Sequence, residues 1–326
     1  VTARAVWTLC AYADVHAALR DDRLAPYGVH TRRDASHRVV RAAVQQELPP
    51  TLLARWRETL GARAVERLAT LPSEGAVDLM QDMAQPWAHE AARQVLGIPP
   101  QVVATCLPLA ATLFEESARA KSGSPSVALS QAATKLAGLL EGYGGAGTVQ
   151  SFVALTHTVP ALSGGAMLAL LQHPAQLEWL RAHAGEQALA VATNELLRFA
   201  GPSRAVFRTA LAPMVLGGHA IDTDDEVVLL LSEANRDPLV FSNPERLDVQ
   251  RVESGHLAFG AGAHGCVGAG IVRMLLHEAI AAFVRSPREF DLDASDGGSV
   301  KWLDGFAMRP LRAIPTIVRE RRASSV

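Results

Sequence analysis

The chain has 326 residues, 49% of them apolar, a net charge of −2 and three cysteines. Such a chain buries a large core, and with no Pro/Gly/Ser-rich linker it reads as one domain over 1–326. The charge balance excludes a nucleic-acid footprint, no apolar run reads as a membrane span, and no signal peptide is visible, so a cytoplasmic protein is expected. Cys10, Cys106 and Cys266 are too few and too scattered for a disulfide framework or a zinc site. The chain begins at Val1 rather than Met, as a trimmed N-terminal portion would leave it.

In chain order, residues 6–20 begin strand-like (VWTL) and turn helical after Asp14. Apolar residues at three-to-four spacing predict helices over 36–48 and 51–70. A helix over 78–96 is stopped by Gly97 and the Pro99-Pro100 pair. Ala/Leu-rich helices over 101–118 and 126–143 flank a Ser/Gly/Pro turn at 122–125. A glycine-rich break at 144–147 precedes a long apolar helix from Val149 to Leu171, ended by His173-Pro174, and helices over 175–183 and 186–199 follow. From Ala205 the texture changes to strand-like AVFRTAL, MVLGG and EVVLLL, then a loop rich in Asp, Asn and Pro. A glycine-rich loop, a helix over 268–285 and two paired strands within VKWLDGFAMRPLRAIPTIV complete a mainly α chain with minor β.

The glycine-rich loop reads Phe259-Gly260-Ala261-Gly262-Ala263-His264-Gly265-Cys266-Val267-Gly268. Its glycines permit tight turns and close approach to a flat ligand. Cys266 sits where a helix begins, so amide N–H groups and the helix dipole favour its thiolate, a good axial ligand for haem iron. The pattern F-x-x-G-x-x-x-C-x-G arises by chance about once in a thousand chains of this length, so a chance match is set aside. It resembles the haem-binding loop of the cytochrome P450 superfamily, in its soluble bacterial branch. Further likeness lies in AYADVHAALRD, GGHAIDTDDEVVLLLSEANRDPLVF and WLDGFAMRPL.

That resemblance implies a helical body with small β-sheets, and haem b held between the central long helix and the Cys loop, with Cys266 on the iron. It implies a buried structural network of Glu195, Arg198 and Arg246, built on ELLRF and the later Pro244-Glu245-Arg246. The alternative for Glu195-x-x-Arg198 is an ordinary surface pair worth under about 1 kcal/mol. It further implies propionate partners at His37 and Arg41 (the H-x-x-x-R of one helix face), Arg208, His256 and His264. Phe259 is expected beside the sulfur, and Gly260, Gly262 and Gly268 in the loop. The implied partners are a small-molecule substrate and a ferredoxin-type electron donor with its NAD(P)H-dependent reductase. Arg32, Arg33, Arg38 and Arg273 are candidates for a basic docking face, against the alternative of a solvated positive surface.

The central helix departs from the family pattern of small residue, Gly, any residue, acid, Thr. Here it reads Ala154-Leu155-Thr156-His157-Thr158. Thr158 keeps the proton-handling hydroxyl, His157 replaces the acid, and Leu155 is expected to crowd the oxygen groove. Ala154, Leu155 and Val206 are expected pocket walls. An imidazole titrates near neutrality and can shuttle protons. Pro160 removes one helical N–H and can distort the helix where Gly would have done so. The segments 24–35 and 143–149 are short for the family, which predicts a thin substrate roof. Three functions are therefore open. The first is a haem-thiolate monooxygenase or oxidase of bacterial specialised metabolism. The second is a haem-thiolate enzyme without normal O2 activation (peroxide-driven oxidation, radical coupling or redox-neutral rearrangement). The third is a non-catalytic interaction protein.

Overall fold

From the N-terminus the chain forms β1 (Val6–Leu9), α1 (Tyr12–Arg20), β2 (Leu24–Ala25), α2 (Ala35–Gln46), α3 (Pro50–Ala69) and β3 (Gly75–Asp78). The structure, a computed structural model, describes residues 4–26, 35–46, 48–122, 124–143, 147–295 and 299–321, with backbone alone at 35–38, 40 and 43. The Asp78 carboxylate accepts from the amides of Met80 and Gln81, satisfying free donors at the start of a π turn over Leu79–Ala84. This turn feeds α4 (Gln85–Leu96), so the helix expected from residue 78 begins instead as a strand end and a π turn. Gly97, at φ 66°, closes α4, and Pro100 in the first turn opens α5 (Pro100–Arg119). The Ser126 hydroxyl caps α6 (Val127–Leu139), which stops short of the expected residue 143.

The central helix is α7 (Thr148–Val153), a π turn over Ala154–Thr158 and α8 (Val159–Gln172). The π turn falls just before Pro160, where the ring supplies no N–H to the carbonyl four residues back. Residues Val159–Leu170 are all buried, and 148–172 is long and apolar enough to cross a membrane. Its apolar window is 78% buried inside the protein, which accounts for that apolarity as core packing. At Gly165 an added Cβ would lie 2.9 Å from the Ala200 carbonyl, so glycine sets the approach of α8 to the next helices.

Those helices are α9 (Pro174–Ala182) and α10 (Glu186–Ala200), followed by β4 (Ala205–Ala210), β5 (Met214–Leu216), β6 (His219–Ile221), β7 (Glu226–Leu230) and the short α11 (Leu231–Ala234). A 3-10 turn over Gly262–His264 leads to α12 (Ala269–Arg285), then β8 (Arg288–Leu292), β9 (Lys301–Trp302), β10 (Leu311–Ala313) and β11 (Pro315–Glu320). One sheet has the order β1-β7-β4-β2, with β1 parallel to β7 and Arg208 of β4 opposite Val227. The second has the order β3-β11-β8 and pairs Thr316 with Val77 on one side and Leu292 on the other. Only β9 and β10 form the expected terminal pair; β11 leaves it to become the middle strand of a sheet made with β3 and β8. The main core gathers α3, α4, α8, α10 and α12, mostly helical with minor sheets, as the sequence implies.

Candidate active site

The Cys loop is folded by its own backbone. Gly260 N–H donates to the Leu257 carbonyl, Gly265 N–H to Gly262, and Cys266 N–H to Phe259 at 2.8 Å. Gly262, at φ 68°, has no room for a side chain: a Cβ would lie 2.5 Å from the Leu19 carbonyl of α1. Phe259 packs on the main core, and the Arg273 guanidinium lies 5.6 Å over its ring. Arg41 of α2 donates to the Gly265 carbonyl at 2.6 Å, clamping α2 on the loop. His264 ends the 3-10 turn, two residues before the cysteine.

Cys266 is reachable from outside although protein closely surrounds its sulfur. Burial raises its thiol pKa, outweighing the Gly268 amide and the Arg41 charge, which both pull it down. The expectation of a thiolate favoured by the helix start alone is thus corrected: desolvation wins without a metal. A coordinating cation deprotonates such a thiol outright.

Behind the loop, Glu195 and Arg198 of α10 form a buried two-point ion pair at 2.7 Å for both contacts. The third member is Arg251, whose Nε lies 3.0 Å from Glu195 Oε2. Arg246, expected in that place, is exposed; its carbonyl alone takes part, accepting from Arg198 and Arg251. The meander after α11 turns the Arg251 side chain inward, where it also donates to the Ser242 carbonyl. Arg198 donates to the carbonyls of Asn235 and Pro244, and Asn235 Oδ1 accepts from Leu257 N–H at 2.6 Å. The network thus fastens the irregular segment leading into the Cys loop.

Two of the expected propionate partners have contrasting settings in the structure. Arg208 is 7% exposed, and its one hydrogen bond among the described residues runs to the Phe207 carbonyl. Burial pulls it down to about 10, with no carboxylate to offset the cost. His256 is a correction: Ala258 N–H donates to its Nδ1, and its Nε2 donates to Asn194 Oδ1 at 3.1 Å. Both ring nitrogens are used by the protein, and burial followed by the Arg273 and Arg198 charges lowers its pKa to about 4. Asn194, which also accepts from Arg273, carries no motif that sequence reading could have used. The side chains of His37 and Arg38, and all of Arg32 and Arg33, lie outside the described residues, so only the exposed Arg273 of the basic face is placed.

On the central helix, the Thr156 hydroxyl donates to the Phe152 carbonyl at 2.7 Å and lies 2.8 Å from His157 Nδ1. A hydroxyl has one proton, and the carbonyl can only accept, so Nδ1 carries the hydrogen and Nε2 is a bare acceptor. Burial, then the neighbouring His89, lowers His157 to about 4. The His89 ring of α4 donates to the Thr156 carbonyl, the group that Pro160 leaves without its helical donor. Thr158 and Ala154 are half-buried beside it. Leu155 is 4% exposed and packed in the main core, so its bulk is absorbed by packing rather than standing in an open groove. Val206 sits in β4, and the adjacent Phe207 ring stacks 6.2 Å from Phe306 of the β9–β10 turn.

The cytochrome P450 family profile matches residues 189–314, which hold the ion-pair network and the Cys loop. Over 171 residues, 52% of this chain, the sequence is 39% identical to the cytochrome P450 monooxygenase PikC of Streptomyces venezuelae. That segment spans 40% of PikC's own length. The fold superposes on CxnD, a cytochrome P450 for C–S bond formation in chuangxinmycin biosynthesis, with a TM-score of 0.77 at 26% identity, covering 96% of this chain and 88% of CxnD. It matches CYP105P1, solved with filipin I, with a TM-score of 0.83 at 21% identity, over 97% and 90% of the two chains. Residues 189–314 thus match the cytochrome P450 family profile, and the fold as a whole is similar to that of solved cytochromes P450. That family implies haem b, an iron porphyrin with two carboxylates. The residues present fit it: an accessible thiol stands in a glycine loop, and a buried guanidinium at Arg208 has no carboxylate partner among the described residues.

Proposed function

We propose that the protein is a haem-thiolate monooxygenase that modifies a small molecule in bacterial specialised metabolism. The observation that carries this reading is the accessible Cys266 thiol in its glycine-shaped loop, braced by the Arg41 clamp and the Glu195–Arg198–Arg251 network. Cys266 would hold the iron, Arg208 and Arg41 would meet the haem carboxylates, and the bound haem would supply oxidative chemistry at its open face. His37 and His264 are proposed as further partners of the cofactor edge. Ala154, Val206 and the Phe207–Phe306 pair would line the substrate side.

Thr158 and His157 take the places of the hydroxyl and the acid. His157 is held neutral with its Nδ1 hydrogen on the Thr156 hydroxyl, so Nε2 is the atom at which it would take up and return a proton. Electrons would come from a ferredoxin-type donor and its NAD(P)H-dependent reductase, with Arg273 on the docking side, in the cytoplasm.

The test is the absorption spectrum of dithionite-reduced protein under carbon monoxide. A strongly red-shifted Soret band, lost in Cys266→Ala, is expected. A band typical of a neutral axial ligand, or no haem, would overturn the assignment and leave an interaction protein. A second reading, oxidation without normal O2 activation, is favoured by the neutral imidazole at the acid position. Higher oxygen-dependent turnover in His157→Glu would support the first reading; loss of activity would support the second.

A further inference from the structure

Asn194 stands on α10 next to Glu195, on a stretch that the buried ion-pair network already holds still. Its side-chain oxygen accepts two hydrogen bonds from different parts of the chain. His256 Nε2 donates at 3.1 Å from the segment before the Cys loop, and the Arg273 guanidinium donates at 2.7 Å from α12. Two donors fix which end of the amide faces them, because the other end can only donate. The His256 Nδ1 accepts from Ala258 N–H at 3.3 Å, so the ring hydrogen is on Nε2 and points at Asn194. Both groups that Asn194 holds pack on Phe259. The guanidinium lies 5.6 Å over its ring, within reach of a cation–π contact, and the His256 ring stands 6.0 Å away at 53°. Phe259 in turn is tied to the cysteine, since its carbonyl accepts from Cys266 N–H at 2.8 Å.

We propose that Asn194 is a positioning residue for the sulfur ligand: through His256 and Arg273 it holds the Phe259 ring in place, and the ring keeps water from the Cys266 sulfur. The proposal rests on Cys266 as the haem ligand and on no property of the substrate. Arg273 depends on this oxygen, because burial weakens its charge and no carboxylate offsets that among the described residues. A long side chain without such an anchor spreads over its rotamers. Losing Asn194 therefore frees both neighbours of the ring at once and lets Phe259 tilt. Water that then reaches the sulfur donates hydrogen bonds to it, draws charge from the metal–sulfur bond and favours the reduced iron. A residue that only stabilised α10 would change the unfolding of the protein and leave that balance where it was.

Titration of the haem-loaded protein with dithionite against a redox dye tests this without any protein electron donor. Asn194→Leu is expected to shift the ferric–ferrous equilibrium toward the ferrous form by about threefold or more. The His256→Leu/Arg273→Met variant removes the same two bonds from the other side and should give the same shift. Asn194→Asp keeps an acceptor oxygen in place and should show none, its added negative charge opposing one. In a Phe259→Leu background, Asn194→Leu should add nothing, because both changes act through one ring. An unmoved equilibrium in either of the first two variants, an equal shift in Asn194→Asp, or additive shifts with Phe259→Leu would each overturn the proposal. With the red-shifted carbon monoxide band present, such results leave Cys266 as the ligand. Absence of that band in the unmodified protein would overturn the haem assignment and this proposal with it.

Discussion

Arg251 Nε lies 3.0 Å from Glu195 Oε2, with both side chains almost fully enclosed. Since Arg198 already grips both oxygens of the same carboxylate, one buried anion is shared by two guanidiniums. The remaining N–H groups of both arginines end on carbonyls of the 235–246 meander, so the three residues join α10 to the approach of the Cys loop.

Removing one partner of a buried ion pair leaves the other uncompensated and costs about 3–5 kcal/mol. Arg251→Leu is expected to destabilise by that order in urea unfolding, and Arg246→Leu by under about 1 kcal/mol, because its exposed side chain makes no part of the network. Equal losses in the two variants would return the third position to Arg246.

Arg208 is expected to act with opposite signs in two states. Without cofactor its buried guanidinium is uncompensated, so Arg208→Leu should stabilise the haem-free protein by about 1–2 kcal/mol. With haem the same change should loosen the cofactor, because a charge partner for a propionate is gone. Thermal unfolding of the haem-free protein and the rate of haem transfer to apomyoglobin read the two effects separately. A destabilised haem-free variant would show that Arg208 has a partner in the protein itself.

His157 and His256 are both held near 4, below the unfolded value of about 6.5. Between those values the unfolded chain binds protons that the folded one refuses. Stability is therefore complete above pH 6.5 and falls as pH drops toward 4, by at most about 3 kcal/mol per group. Urea midpoints of the wild type and of His157→Phe across pH 4–8 should show a shallower acid slope in the variant. Parallel curves would mean that His157 is not held neutral.

Gly262→Ala places a methyl 2.5 Å from the Leu19 carbonyl, at a φ that side chains resist. Backbone must shift, so the Cys loop should leave α1. The expected result is lowered haem occupancy per chain with unchanged helical circular dichroism. Gly268→Ala, whose added carbon meets only ordinary contacts 3.7 Å or more away, should keep its haem.

How much of this was legible depended on how local each signal is. The Cys266 loop, the Glu195–Arg198 pair and the long core helix rest on contiguous residues, so spacing alone located them. Arg251 could not be separated from Arg246, because which side chain turns inward depends on the path of an irregular meander. His256 reads as a cofactor residue until Asn194, one turn ahead on α10 of Arg198, claims its Nε2. His89 carried no motif; its role exists only because Pro160 leaves the Thr156 carbonyl to another donor. Strands β3 and β8 were missed because each is short and defined by a distant partner.

That partner has a consequence for how the chain is made. Strand β11, the last of the described elements in chain order, is the middle strand of its sheet, flanked by β3 and β8. Until it arrives, both neighbours present open backbone edges, and β3 waits while everything from α4 to β10 is made. Closure of that corner is therefore a late, long-range event, slower than the helix contacts formed nearby. A ribosome stalled before residue 315 would hold a chain with its helices in place and two strands still available to pair with the wrong molecule.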